Sequence, residues 1–239
     1  MPTAAVIIIG EEILSGKFAD ENGPYLVRRL RALGVDLRRL VTIGDGVSEI
    51  AAEVRRCAAA VDHVFTTGGV GPTHDDRTFE GIAEAFEVSL EERAEVVALL
   101  DRFGMERNAM TSRMAALPVG AELVSEDALA YPIVRVQNVW VLPGVPRIMR
   151  QKFEALAPRV AGEAVRTARV YADDLEHDVA VFLDAVQRAH PEVSIGSYPR
   201  YGEATGRLIV TVEGARAEAV HAAAHALAGG LAVRNVELS

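Results

Sequence analysis

The residues with the most chemistry in them lie in one run, Thr66-Thr67-Gly68-Gly69-Val70-Gly71-Pro72-Thr73-His74-Asp75-Asp76-Arg77-Thr78. Three glycines let the backbone take positive φ and come close to a ligand, and free N–H groups in such a turn favour an anion. Asp75 and Asp76 in the same turn would repel that anion unless a cation lay between them. These residues therefore point to a phosphate or pyrophosphate held with a divalent metal. Magnesium is the commonest choice for few carboxylates plus phosphate oxygens. The plainer alternative is a tight loop whose aspartates only cap the helix that follows, because short glycine patterns recur without function.

The elements that must position this run are legible around it. Val61 to Phe65 reads as a buried strand and Phe79 to Phe86 as a short helix with Thr78 as N-cap, so the run is a strand-to-helix turn. Ala4 to Ile9 is a continuous apolar stretch suited to a strand covered on both faces of a parallel sheet. Its carboxyl end delivers Gly10, Glu11 and Glu12, the place where open α/β sheets bind ligands. Asp20 or Asn22 can cap a helix with Leu26, Leu30 and Leu33 on one face and Gly34 at its end. Val35 to Ile43 is a second strand, closed by Gly44-Asp45-Gly46, and Ser48 is placed to cap a helix reaching Ala60. Ser89-Leu90-Glu91-Glu92 has the form of a capping box opening a helix through Phe103. A short helix over Ala109 to Ala116 follows, stopped by Pro118. Strands are expected at Glu122–Val124, Ile133–Val136 and Val139–Leu142, the last two joined across Gln137-Asn138. Pro143-Gly144-Val145-Pro146 then turns into a helix from Arg147 to about Leu156, its N-terminus free to meet an anion.

A boundary is expected within Pro158 to Gly162, dividing the chain into 1–160 and 161–239. The second part runs strand (Val165–Tyr171), helix (Leu175–Ala189, capped by Asp174), strand (Val193–Tyr198), strand (Arg207–Glu213), helix (Arg216–Ala228), strand (Leu231–Val236). That order is the α+β, ferredoxin-like split βαβ, which names no function by itself. Its one stretch with chemistry is Ser197-Tyr198-Pro199-Arg200-Tyr201-Gly202, where tyrosines flanking an arginine can stack on a base or simply decorate a hairpin.

Composition narrows the classes. The chain of 239 residues has a formal charge of −9, a pI near 5.2 and half its residues hydrophobic. Without a Lys/Arg block it carries no footprint for nucleic acid or an anionic membrane. An acidic protein that takes a phosphate compound must do so with backbone N–H groups and metal. No apolar run reaches bilayer-spanning length and no basic leader precedes the first strand, so a cytoplasmic location is expected. One cysteine excludes an internal disulfide framework. Cys57 follows Ile50 and Val54 at helical spacing and reads as core packing.

The run Thr-Gly-Gly-Val-Gly-Pro-Thr-His-Asp-Asp-Arg-Thr resembles the signature of the molybdopterin-binding (MoaB/Mog-like) family. Gly10-Glu11-Glu12-Ile13-Leu14-Ser15-Gly16, Ile43-Gly44-Asp45 and Leu142-Pro143-Gly144-Val145-Pro146 extend the likeness. Within the family the chain is most similar to CinA N-terminal domains and to the domain fused to some FAD synthetases. The resemblance implies a three-layer α/β domain with a mostly parallel sheet. It also implies a pocket formed by Gly10, Thr67, Gly68, Gly69, Gly71, Pro72, Thr73, His74, Thr78, Pro143, Gly144 and Pro146. By motif position Asp45 and Asp76 correspond to functional aspartates of Mog-like enzymes, and Glu12 is favoured over Glu11. The chain departs from CinA where Ala130-Tyr131-Pro132-Ile133-Val134-Arg135-Val136 stands in place of an Asn-Pro-Val-Gly-Thr-Ala-Pro-Gly segment. That substitution is closer to the FAD-synthetase branch.

Three functions are then expected to compete. One is a metal-dependent pyrophosphatase acting on ADP-ribose or FAD. In it the amides of Gly68, Gly69 and Gly71 with Thr73 cradle phosphate, while Asp76 with Asp75 or Asp45 holds the metal. Asp45 or Glu12 is then the base and His74 a candidate acid. The second is molybdopterin binding and adenylylation, and the third a ligand-binding subunit without turnover. Family likeness also implies a homo-oligomer, a dimer or a trimer.

Overall fold

The computed structural model describes residues 1–239 except 107, 127, 128, 201–205 and 239. The chain divides into two compact units, 1–162 and 163–239.

The first unit runs β1 (Thr3–Ile9), α1 (Glu11–Leu14), α2 (Asn22–Ala32), β2 (Asp36–Ile43), α3 (Val47–Ala58), β3 (His63–Thr67), α4 (Thr78–Ala85) and β4 (Leu90–Glu92). It continues through α5 (Ala94–Arg102), α6 (Ala109–Ala115), β5 (Ala116–Pro118), β6 (Glu122–Val124), β7 (Ile133–Val136), β8 (Val139–Leu142) and α7 (Pro146–Val160). The main sheet has the order β2-β1-β3-β8-β7-β6, parallel from β2 through β8 and antiparallel at β7 and β6. Every residue of β1 from Ala4 to Ile9 is buried, as an apolar strand covered on both faces requires. Ile7, Ile9, Val64 and Val141 point into a core shared with α3, α4 and α5, whereas Val6, Ile8, Phe65 and Leu142 point into one shared with α2 and α7. The result is a three-layer, mixed α/β unit. Parallel pairing brings the carboxyl ends of β1, β3 and β8 side by side, and with them the loops that begin at Gly10, Gly68 and Pro143.

Several local expectations are corrected. β3 begins at His63, two positions later than Val61, so Thr66 and Thr67 end the strand and do not open the turn. Leu90–Glu92 is a strand because its backbone pairs antiparallel with Ala116–Pro118, which outweighs the capping-box pattern and delays the helix to Ala94. Neither Ser48 nor Thr78 is an N-cap; Gly46 and Arg77 hold those places without side-chain caps. Neither Asp20 nor Asn22 holds the N-cap place of α2, which is Glu21, although Asp20 Oδ1 accepts from the Asn22 and Gly23 amides at 2.9 Å each. Glu11 and Glu12 lie in a short helix, not a loop. Cys57 is buried as expected, and burial pushes its thiol up to about 12.

The second unit runs β9 (Arg166–Ala172), α8 (Glu176–Ala189), β10 (Ser194–Pro199), β11 (Leu208–Gly214), α9 (Ala217–Gly230) and β12 (Val233–Leu238). Its antiparallel sheet has the order β10-β11-β9-β12, the ferredoxin-like arrangement. The helices cover one face, with Leu183 and Leu227 against Val170 and Val210. Asp174 does not cap α8; its carboxylate accepts from the Ala232 amide at 2.7 Å. Of the stretch flagged for stacking, Ser197 to Pro199 belongs to β10, while Tyr201 and Gly202 lie outside the described residues.

Candidate functional site

Two loops, following β3 and β8, form the site's backbone. Gly68 has φ +106°, and a Cβ there would sit 2.0 Å from the Ile9 carbonyl oxygen, so only glycine lets the chain pass this close to the end of β1. Its own amide donates to the Leu142 carbonyl at 3.2 Å. A Cβ on Gly144 would lie 3.3 Å from the Gly68 Cα, so the loops also touch through glycine backbone.

One side chain ties them together. Asn22, at the start of α2, donates through Nδ2 to the Thr67 hydroxyl at 2.9 Å and to the Gly144 carbonyl at 2.8 Å, while Thr67 donates to the Pro143 carbonyl at 2.9 Å. Asn22 is buried, and its Oδ1 has no partner among the described residues. Its part here is not visible in the sequence beyond a capping role, because its partners lie 45 and 122 positions away.

The signature run is held from within. Thr78 is fully buried, its hydroxyl donating to the Gly68 carbonyl at 2.8 Å and its amide to that of Gly69 at 2.9 Å. It therefore shapes the loop and offers a ligand nothing. The Thr73 amide donates to Asp76 Oδ2 at 2.8 Å and the Thr73 hydroxyl donates to the same oxygen. Of the crest expected to cradle phosphate, the Gly68 and Thr73 amides are thus already used. Those of Gly69, Val70 and Gly71 have no acceptor among the described residues. His74 and Asp75 are exposed with 3.9 Å between Nδ1 and Oδ1.

The acids fall into separate places. Asp45 accepts from the Glu11 amide at 3.0 Å, capping α1 from a distant turn. Asp76 lines a small cavity of about 40 Å³ with Gly71, Glu80 and Arg113, the last two paired at 2.9 Å. Glu12 lines a cleft of about 290 Å³ together with Asp20, Asn22, Thr67, Gly144 and Pro146. No group of three or more His, Cys, Asp or Glu side chains among the described residues is arranged to hold a metal ion. The set Asp45, Asp75 and Asp76 is therefore not assembled as a resident site.

These features place the chain in a known class. Residues 5–162 match the family model described as a probable molybdopterin binding domain, and residues 164–237 match the FAD synthase middle domain. The chain belongs to the molybdopterin-binding-domain family. It is 34% identical over 254 residues to a "Probable FAD synthase" of Caenorhabditis briggsae, covering 94% of this chain and 49% of that one. It therefore spans about half the length of that relative. A "CinA-like protein" of Myxococcus xanthus is 37% identical over 164 residues, covering 65% of this chain and 39% of that one. Among solved structures, the protein CinA of Thermoplasma acidophilum, titled as of unknown function, has a TM-score of 0.62 at 28% identity, covering 66% of this chain and 98% of that one. No helix among the described residues is long and apolar enough to cross a membrane.

Proposed function

We propose that the chain is a divalent-metal-dependent pyrophosphatase that hydrolyses the diphosphate bridge of a nucleotide diphosphate, FAD or ADP-ribose. The observation that carries this reading is the pairing of unlike groups at one sheet edge. Unbonded amides at Gly69, Val70 and Gly71 suit phosphate oxygens, and acid-bearing pockets on either side suit a cation that arrives with the phosphates. Asp76, with Asp75 or Asp45, would give that metal its protein oxygens. Bound there, the metal would polarise phosphorus and lower the pKa of a coordinated water. Glu12 or Asp45 would take the proton as the water oxygen attacks one phosphorus, the bridging P–O bond breaks, and the bridging oxygen leaves on the other phosphate. With FAD the products are FMN and AMP.

A second reading, adenylylation of a pterin phosphate, draws on the family match over residues 5–162. Incubation with FAD, ADP-ribose, or molybdopterin plus ATP, each with magnesium, manganese or cobalt, separates the two. FAD cleavage should stop with a chelator and fall by at least about a hundredfold in Asp76→Ala. Asp76→Asn keeps an oxygen to accept from Thr73 and removes the charge. If it turns over like wild type, Asp76 is only a loop clasp and the metal assignment fails.

A further inference from the structure

Across the two loops from the Glu12 cleft, and sharing Val70 and Phe79 with the Asp76 cavity, lies a third cavity, of about 220 Å³, walled by Val70 and Pro143 from the loops and by Val134 and Val141 from the sheet. Set into this apolar wall is one charge. Lys152 of α7 is 8% exposed, and its Nζ donates to the Pro132 carbonyl at 2.6 Å. The ammonium lies 4.8 Å from the centre of the Tyr131 ring. It has no carboxylate partner among the described residues, and burial alone pushes it down to about 8. A lysine ammonium carries three donors, and a buried charge without a counter-ion costs several kcal/mol unless something repays it. One carbonyl and one ring face leave the ammonium a donor without an acceptor among the described residues.

We infer that this cavity receives the planar heteroaromatic ring of the ligand, and that Lys152 donates a hydrogen bond to a carbonyl oxygen on that ring. The volume supports one ring system and not a whole dinucleotide, since pockets that enclose drug-sized ligands run from about 300 to 1,000 Å³. The apolar walls suit a flat face, and Tyr131 offers a ring for contact. An ammonium with a donor to spare calls for a strong acceptor, which the carbonyl oxygens of an isoalloxazine or pterin ring supply; adenine offers ring nitrogens instead, and adenosine is the comparison that tests the choice. Because Val70 and Pro143 belong to the loops of the proposed phosphate site, a ring seated here leaves its phosphate tail beside the Gly69–Gly71 amides. The inference rests on reading those loops as a nucleotide site, and not on hydrolysis.

Riboflavin, which lacks phosphate, tests the ring site apart from the phosphate chemistry. Titrated against the full chain and followed by quenching of its fluorescence, it should bind wild type. Binding should weaken on the order of tenfold or more in Lys152→Met, the value of a charge-assisted hydrogen bond. Adenosine should bind weakly and equally to both. Ile148→Trp, at a half-exposed position on the cavity wall, should block riboflavin while leaving the Lys152 environment in place. Circular dichroism and thermal melts establish that each variant is folded. No riboflavin binding to wild type, equal binding by Lys152→Met and wild type, or undiminished binding by Ile148→Trp would each overturn the assignment. Riboflavin binding without FAD cleavage would sink the pyrophosphatase alone.

Discussion

The loops after β3 and β8 have a wet side and a dry side, and they are built by opposite rules. On the wet side polar groups are plentiful and mostly committed to one another: Asn22 to Thr67 and Gly144, Asp45 to Glu11. On the dry side a single ammonium stands among apolar residues with one carbonyl for company. The wet side gains shape from its hydrogen bonds, and what it offers a ligand is the remainder of free amides. The dry side gives up stability to keep donors uncommitted. Cavities that spend stability in this way are where binding groups are expected.

The comparison breaks most visibly at Gly68, the point both sides share. Gly68→Ala must move backbone, since its Cβ would meet the Ile9 carbonyl oxygen at 2.0 Å with φ at +106°. Strain at such a position and displacement of β1 together should cost more than about 3 kcal/mol, read as a lower denaturant midpoint at unchanged slope. Next is the dry side. Lys152 has its folded-state value lowered from 10.5 to about 8, so between those pH values the unfolded chain binds more protons than the folded one and stability rises with pH. Below about pH 8 the penalty is fully present. Relative to Lys152→Met, wild type should therefore gain on the order of 3 kcal/mol across that interval, measured by urea unfolding at pH 7.5 and pH 10.5. A flat difference would mean that Lys152 is solvated, and the dry side would lose its distinction.

Much of the framework was legible because periodicity and punctuation agree along the chain. The apolar run of β1, the glycines of the signature run, the hairpin across Gln137-Asn138 and the βαββαβ order of the second unit all follow from local pattern. What was not legible depends on residues far apart. Ser89 to Glu92 reads as a helix start until Ala116–Pro118 supplies a ladder. Asp76 reads as a metal ligand, and the fold shows it first as the acceptor for Thr73. Lys152 gave no signal, because in a helix whose buried stripe is Met149, Phe153, Leu156 and Val160 it reads as a solvated charge beside the stripe. Its burial comes from Tyr131 and Pro132, which arrive from the connection before β7.

The smallest stability effect should carry the sharpest functional contrast, and it belongs to the wet side. Asn22→Ala removes two hydrogen bonds and leaves the Thr67 hydroxyl without its donor and the Gly144 carbonyl without its buried partner. A loss of about 2 kcal/mol is expected from thermal unfolding. Asn22→Asp keeps shape but exchanges a donor pair for a charge that both acceptors repel, so it should cost at least as much. If Asn22 only joins the loops, riboflavin binding on the dry side and FAD cleavage on the wet side should fall together in both variants, since both depend on the same loop pair. If instead its unpartnered Oδ1 meets the ligand in the cleft, cleavage alone should fall and riboflavin binding should hold. Parallel titration and turnover assays on the two variants decide whether the wet and dry sides move as one body or answer separately to their own ligands.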